Sequence, residues 1–564
     1  MIVLFSFLQL TITFIYIWIN TWSLGYLGVY FLVMFNLLIS TFLIWWDVYL
    51  IWLNSTFFEY ILFFWAELGN NVHIYVQFKS DFFGTLLSFV MVSGALFVIT
   101  FVFIDMWDDK EGCSFLVNLG FFLIFMLIVA NSSNLIFFYL GWEGIAFTSL
   151  FLINFWCDRV RGIKASFKVF VINKIGDFFF LLLISLLINL IGDVDFDTIN
   201  ISTVFLLNYK YRIGSFNIPC VEVLGIILVL SGCVKSSQYG FHIWLLEAME
   251  APLGASALMH SSTLVVAGLV LIFRLNSILE LSGWAQILMY VLGIVSATMG
   301  SLIACFQFEL KVIMAYSTIS NMGYMFMLCA VGAYFEMFII MIIHAYIKIF
   351  LFLVVGGIML HCGGCQDLRW MGGLFLYIPT LAVSYLIGGI CLIGLPYWSG
   401  YYCKFYIWYA ITDSSILLRG GEYFLLVSYI LTFFYVCRTG YLVFLGPKNG
   451  HRRIYINKPT SLLYIYDLLL LGIIILFMGT FWVNLVDSNY SYLTGSLYYK
   501  SFTFFQYINY ELSYLSLYLW VIVYLIITIF FTFWLVFSLN FTWNIFKYWF
   551  YITLFLNILF LIIF

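Results

Sequence analysis

Apolar stretches long enough to cross a bilayer follow one another along nearly the whole chain. A helical crossing needs roughly 20 predominantly apolar residues. The pattern predicts crossings at about 2–19, 24–52 and 82–104, then 114–132, 134–155, 166–191, 221–246 and 254–275. A third set falls at about 282–306, 311–332, 335–360, 377–410 and 421–446, followed by 460–484, 512–540 and 544–564. The long stretch at 24–52 leaves room for tilt or a kink. The expected fold class is all-α, a polytopic membrane protein of about 14–16 transmembrane helices. Four parts are expected: N-terminal helices over 1–110, two five-helix repeats over 111–278 and 279–447, and C-terminal helices over 448–564. Five is odd, so the second repeat is expected to be inverted relative to the first.

The fourth crossing of each repeat breaks the apolar pattern. In the first, Lys235-Ser-Ser-Gln-Tyr-Gly240 puts small and polar residues into an apolar run. In the second, Gly394-Leu-Pro396 and Ser399-Gly400 do so just before Lys404. Broken helices at matching positions of two halves point to a transport site. Irregular backbone at that depth is tolerated only where protein or water satisfies it.

Charges inside the apolar stretches strengthen this reading. Glu143 lies in Leu135–Trp156, Lys235 follows Val223–Val234, and Lys348 lies in Phe338–Val355. A charge at bilayer depth costs several kcal/mol, faces a bundle interior or wet cavity, and marks ion or proton paths. Glu143 is flanked by Gly141 and Gly144, which allow close helix approach, and is expected to partner a nearby lysine, while Lys235 is expected to face an opposed carboxylate. Lys174 and Asp177 share a helix face and read equally as a polar relay or an interfacial ion pair. His344 and Lys348, four apart, form a stepping pair on one face, and His260 is a relay candidate within its own crossing. His242, with Glu247 and Glu250, reads either as the lining of a hydrated mouth or as helix-end capping. Any buried pair could also simply fix helix packing.

Composition closes off other classes. The chain has 564 residues, 65% hydrophobic and 9% charged, too little charge to cover a soluble surface. A net charge of -3 offers no basic face for nucleic acid. There is no dinucleotide fingerprint and no P-loop. The one C-x-x-C, Cys362 and Cys365, lacks the second ligand pair a structural metal site needs and reads as a helix end rich in small residues. The start reads as a retained first crossing, not a cleaved signal. Abundant Phe (64) and Tyr (40) fit an AT-rich, organellar gene. Basic residues gather after the odd-numbered crossings: Arg159, Arg161 and Lys164, then Lys311, Arg369, and Lys448 with Arg452 and Arg453. That places the N-terminus on the positive side, opposite the basic loops.

The segments Leu140-Gly-Trp-Glu-Gly144, Lys174-Ile-Gly-Asp177, Lys235–His242, Met249–Gly268, Ala315–Thr318, His344–Lys348, Gln366–Gly373 and Gly394–Lys404 resemble the antiporter-like membrane subunits of respiratory complex I over about residues 80–450. Gln366–Gly373 and the chain end are most similar to the subunit 5 branch, as opposed to subunits 2 and 4. The resemblance implies a proton-translocating membrane subunit of NADH:ubiquinone oxidoreductase in a mitochondrial inner membrane. Glu143 and Lys235 would form the first charge pair, with Asp177 beside them. His260 would bridge onward, His344 and Lys348 would form a central axis, and Lys404 would lie near the exit. No cofactor is implied in this chain; NADH, flavin mononucleotide, iron–sulfur clusters and ubiquinone would belong to partner subunits. The implied partners are the other membrane-arm subunits, above all a subunit 4-like neighbour, together with supernumerary subunits and lipids such as cardiolipin.

The sequence departs from the family pattern at three places. Phe405 follows Lys404 where an aspartate is common, Lys174 stands where an arginine is common, and only Asn484–Tyr510 is polar enough for the usual lateral helix, so a shortened lateral element is expected. Two other readings fit the same charges: a subunit of a multi-subunit sodium/proton antiporter in a bacterial plasma membrane, and a membrane scaffold whose buried pairs only fix packing.

Overall fold

The computed structural model describes residues 2–54, 57–68, 72–213, 216–396, 398–412, 420–451, 455 and 461–488. The predicted crossings at 512–540 and 544–564, the shortened lateral element, and Arg452 and Arg453 lie outside these residues.

Within them the chain is helical wherever it is long and apolar. The helices are α1 (Ile2–Ile19), α2 (Thr21–Asn54), α3 (Phe82–Asp105), α4 (Gly112–Asn131), α5 (Leu135–Ile153), α6 (Val160–Ile191) and the short α7 (Phe196–Leu206). Next come α8 (Cys220–Lys235), α9 (Ile243–Glu247), α10 (Leu253–Ser261), α11 (Leu264–Arg274), α12 (Asn276–Leu281), α13 (Gly283–Phe306), α14 (Leu310–Val331) and α15 (Tyr334–His361). The last described are α16 (Pro379–Ile393), α17 (Ser399–Thr412), α18 (Gly421–Gly440) and α19 (Leu462–Ser488). Among the described residues, 12 helical stretches are long and apolar enough to span a bilayer, counting α10 and α11 as one. Two further crossings, Cys220–Glu247 and Pro379–Thr412, are interrupted as predicted. Together these make an all-α, multi-pass membrane fold. The kink allowed in α2 falls at Gly25, whose φ of 64° leaves the helical region.

Three features depart from the hydropathy reading. Two antiparallel hairpins occupy segments it left unassigned: β1 (Phe58–Leu68) with β2 (Val72–Ser80), and β3 (Lys210–Ile213) with β4 (Phe216–Pro219). The crossing predicted as continuous over 254–275 breaks at Ser262–Thr263, between α10 and α11. Hydropathy does not register this break, because Ser and Thr satisfy freed backbone groups without adding charge: the Thr263 hydroxyl donates to the Leu258 carbonyl at 2.8 Å. Finally, Lys311 is not a loop cation. It is buried in the first turn of α14 and donates to the carbonyls of Met249 (3.2 Å) and Ala251 (3.0 Å). Those carbonyls end a helical turn just before Pro252, where a cation is favoured.

The two sets of five crossings share one neighbour pattern. α4 packs on α5 as α13 packs on α14, α6 on α8 as α15 on α16, and α11 on α8 as α18 on α16. α15 is sheathed on all sides, and its flanks include α3, α10, α14 and α17. By contrast, α1 and α2 show rows of exposed apolar side chains such as Phe31, Phe35, Leu38 and Phe42, suited to lipid or a partner surface.

One ion pair ties three helix ends together. Asp81 caps α3, accepting from the Gly84 N–H at 2.8 Å. Arg274, at the end of α11, grips Asp81 with both terminal nitrogens and donates to the Ala130 carbonyl of α4 at 2.8 Å. Burial works against the Asp81 charge, but the Arg274 guanidinium outweighs it and holds the carboxyl below its ordinary range.

Candidate functional site

The first half of the site is a linked set of charges where α5, α6 and α8 meet. The Glu143 carboxylate accepts from the Tyr139 hydroxyl at 2.6 Å and from the Lys174 ammonium. Lys174 also lies 3.2 Å from Asp177. Asp177 accepts from the Trp142 indole N–H at 2.8 Å and lies 3.8 Å from the Lys235 nitrogen. Lys235 is 1% exposed, points at the Trp142 carbonyl (3.5 Å), and stands over the Trp142 ring, 4.9 Å from its centroid. The expected direct pairing of Glu143 with Lys235 is therefore corrected. Lys174 takes Glu143, and Asp177 takes Lys235. The reason is reach: Lys174 and Asp177 sit one helical turn apart on α6, which places that cation and that anion between α5 and α8.

Lys235 stands at a true helix end. After it the chain turns through Ser236 and Ser237, the latter with φ of 51°, a costly conformation for a residue with a side chain. Close approach makes the turn possible. A Cβ on Gly268 would lie 2.5 Å from the Gly232 carbonyl oxygen, so α11 rests directly on the last turn of α8. Ser236 donates to the Gly232 carbonyl at 2.7 Å, taking up one backbone group of the last turn, and Gln238 accepts from Ser296 of α13 at 2.5 Å. His242 lies beyond the break, half-buried and stacked on Tyr239 at 4.9 Å, with Nδ1 accepting from the Gly240 N–H at 3.3 Å. It precedes α9 at the N-cap position without a side-chain capping bond, and it stands apart from the fully buried residues.

Further along, His260 is fully buried in the last turn of α10, two residues before the break at Ser262. Its ring stacks on Phe352 of α15 at 5.7 Å, and neither ring nitrogen has a hydrogen-bond partner. Lys348 is fully buried and donates to the Met314 carbonyl (3.2 Å) and the Ser317 hydroxyl of α14. His344, one turn earlier on α15, contacts the Asn321 side-chain nitrogen at 3.0 Å through Nδ1, while its Nε2 is unpaired.

The second break mirrors the first. α16 ends at Gly394, whose φ of 79° favours glycine, and the backbone of Gly400 packs against it so tightly that a Cβ there would collide with the Cys391 carbonyl. Lys404 is 5% exposed. It donates to Thr432 at 2.7 Å and lies 4.7 Å from the Tyr429 ring centroid. With Phe405 in the aspartate's usual place, its contacts are a hydroxyl and an aromatic face. Among the described residues no carboxylate lies within ion-pair distance of it.

The structure thus places Glu143, Lys174, Asp177 and Lys235 in one contact set, and His344 with Lys348 in another. His260 and Lys404 are buried but touch neither set directly. Sequence reasoning missed Trp142, Thr432 and Glu336. Trp142 lies in the quoted Gly-Trp-Glu segment, and a buried indole N–H needs an acceptor, so the signal was there. Glu336 is 5% exposed at the start of α15, and its Oε2 has no partner. Among the described residues no cluster of three or more His, Cys, Asp or Glu side chains could hold a metal ion. Cys362 and Cys365 instead flank Gly363 and Gly364, both at positive φ, where α15 ends.

Comparison with known proteins agrees with this arrangement. The family described as NADH:quinone oxidoreductase/Mrp antiporter, transmembrane, matches residues 132–432, from the start of α5 into α18. NADH-ubiquinone oxidoreductase chain 5 of Paramecium tetraurelia is 32% identical over 407 residues, 72% of this chain and 71% of that protein. The chain 5 proteins of Acanthamoeba castellanii and Candida albicans are each 30% identical, over 86% and 74% of this chain and 72% and 74% of theirs. Among solved structures, a chain of the Mrp complex from Dietzia sp. DQ12-45-1b shares the fold, with a TM-score of 0.72 at 19% identity, over 87% of this chain and 51% of that one. Lys235 and Lys404, the buried lysines at the two broken helices, both lie within the matched region, and the chain belongs to the NADH:quinone oxidoreductase/Mrp antiporter transmembrane family, in its chain 5 branch.

Proposed function

We propose that this chain is a proton-pumping membrane subunit of NADH:ubiquinone oxidoreductase, multi-pass in the mitochondrial inner membrane, working alongside other membrane-arm subunits. One observation supports the pumping role above the rest. Three lysines, Lys235, Lys348 and Lys404, are each at most 5% exposed inside the bundle, and only Lys235 has a carboxylate near it among the described residues. Buried cations without full compensation are costly, and membrane proteins retain them chiefly for ion transfer.

In the reading we favour, Lys174 is the moving charge. While it bridges Glu143 and Asp177, it offsets part of the Asp177 charge, and Lys235 is free to release its proton. When Lys174 swings wholly to Glu143, Asp177 faces Lys235 alone and stabilises its protonated form. The released proton passes by His260 toward His344 and Lys348, and then to Lys404 at the second break. His260 suits a relay because both its ring nitrogens are unpaired. His242 serves the hydrated mouth.

The Glu143–Lys174 pair also supports a docking site for a subunit 4-like neighbour. These side chains are 28% and 40% exposed, yet they sit among exposed Phe147, Phe151, Val171 and Phe178 on α5 and α6. An ion pair on so apolar a face needs a covering protein surface in place of lipid. Supernumerary subunits and lipids such as cardiolipin would cover the remaining apolar belt. Redox groups are assigned to partner subunits, so electron transfer would reach this chain only as a shift of its charges. Replacing Lys235 by methionine in the intact complex should lower the protons moved per NADH oxidised. An unchanged ratio would refute the reading.

A further inference from the structure

Between Lys348 and Lys404 the helices α14 and α18 meet along a polar seam. On α14 the seam is Ser317, Asn321 and Tyr324, spaced four and three apart on one face. On α18 it is Ser428, Thr432 and Tyr435, with the same spacing. The two rows run in opposite directions: Tyr324 donates to Ser428 at 2.9 Å at one end, and Tyr435 lies beside Ser317 at the other.

Each lysine rests on one hydroxyl of this seam. Lys348 donates to Ser317, and Lys404 donates to Thr432 at 2.7 Å. Each hydroxyl turns its own hydrogen to the carbonyl one turn back: Ser317 to Met314 at 2.7 Å, and Thr432 to Tyr429 at 2.7 Å. Tyr435 stands between these two resting places, one turn from Thr432 on the same helix. It is 1% exposed, and its hydroxyl approaches the Ser317 hydroxyl without making a well-formed hydrogen bond to it or to any other described group. Buried phenol hydroxyls nearly always have a partner. This one faces a serine whose hydrogen is turned elsewhere.

We propose that Tyr435 is the proton relay from Lys348 to Lys404, standing in for the carboxylate that Phe405 displaces. The step balances as follows. The Lys348 ammonium gives a proton to the Ser317 oxygen, and the Ser317 hydroxyl hydrogen, rotated off Met314, passes to the Tyr435 oxygen. The Tyr435 hydrogen then passes to the neutral Lys404 amine, directly or through one water. Lys348 ends neutral, Lys404 ends charged, and each hydroxyl keeps one hydrogen. A phenol suits the task because its oxygen can accept on one side while its hydrogen leaves on the other.

This inference rests on the proposed pumping role. The test compares Tyr435→Phe, Tyr435→His and Lys404→Met in the assembled complex, reconstituted in liposomes, as protons moved per NADH oxidised. Tyr435→Phe keeps the ring and removes only the oxygen, and should lower the ratio as far as Lys404→Met does. Tyr435→His, which can both accept and donate, should regain part of it, which a packing role would not allow. A full ratio in Tyr435→Phe beside a lowered ratio in Lys404→Met overturns the relay alone. Full ratios in both overturn the pumping reading as well. Should Tyr435→Phe fail to assemble, Ser317→Ala cuts the same link from the other helix, and a full ratio there overturns the relay.

Discussion

Lys174 sits between Glu143 and Asp177 and contacts both carboxylates, so the chain of ion pairs from the acid of α5 to the buried lysine of α8 runs through α6. This makes Lys174 the position where a change outside the bundle can be felt at Lys235. Lys174→Met should leave Asp177 facing Lys235 alone, keep that lysine charged, and reduce the protons moved per NADH several-fold. Lys174→Arg, whose planar fork can hold two carboxylates, should retain most of the pumping. Proton uptake by proteoliposomes, normalised to NADH oxidation, distinguishes the two.

Trp142 links Asp177 to α5, its indole N–H donating to the carboxylate. Trp142→Phe keeps a ring beneath Lys235 but leaves one Asp177 oxygen without its donor. The cost should be about 1–3 kcal/mol for the unmet hydrogen bond of a buried group. A lower thermal unfolding midpoint of the purified complex, with the pumping ratio reduced in step, is the expected result.

Arg274 and Asp81 should matter for assembly rather than for turnover. Removing one partner of a buried pair leaves the other charge stranded, at a cost of about 3–5 kcal/mol. Arg274→Leu should therefore deplete assembled complex on native gels. Because the folded Asp81 carboxyl is held below its ordinary range, its contribution is present above the unfolded value and is lost as pH falls through the folded one. Acid sensitivity from this pair should appear only below about pH 4.

Asp195 behaves in the opposite sense. It lies outside the crossings, between α6 and α7, bridged to Asn134 and accepting from Gln77 at 3.1 Å. Burial, and then the nearby Asp193, Glu59 and Asp197, push its carboxyl up to about 6. A raised carboxyl favours the folded form most while it is protonated, so this contribution falls as pH rises from the unfolded value to the folded one, then levels off. Amide protection around Ser133–Phe196, taken relative to the intrinsic exchange rate at each pH, should be greater at about pH 5 than at about pH 7. Asp195→Asn should remove that difference.

Much of the molecule was legible before any coordinates. Hydropathy located every long described helix, because a bilayer admits only closed hydrogen-bonded backbone. Two of the three breaks were visible as small and polar residues beside Lys235 and Lys404. The third, after His260, was hidden because serine and threonine read as tolerable in an apolar run. The hairpin Phe58–Ser80 was hidden for a related reason: its strands are apolar enough to pass for neither loop nor crossing.

The sequence by itself determined the class of the protein and the residue types it buries: a membrane-spanning bundle holding lysines, histidines and carboxylates within its apolar crossings. What only the tertiary structure decided is who faces whom. Glu143 was expected to face Lys235, yet Lys174 intervenes. Lys404 was left without a partner, yet Thr432 and Tyr429 supply one. Spacing along one helix is set locally by 3.6 residues per turn and can be read from the chain. Pairing between helices depends on their rotation and depth, which follow from the packing of the whole bundle and from no local signal.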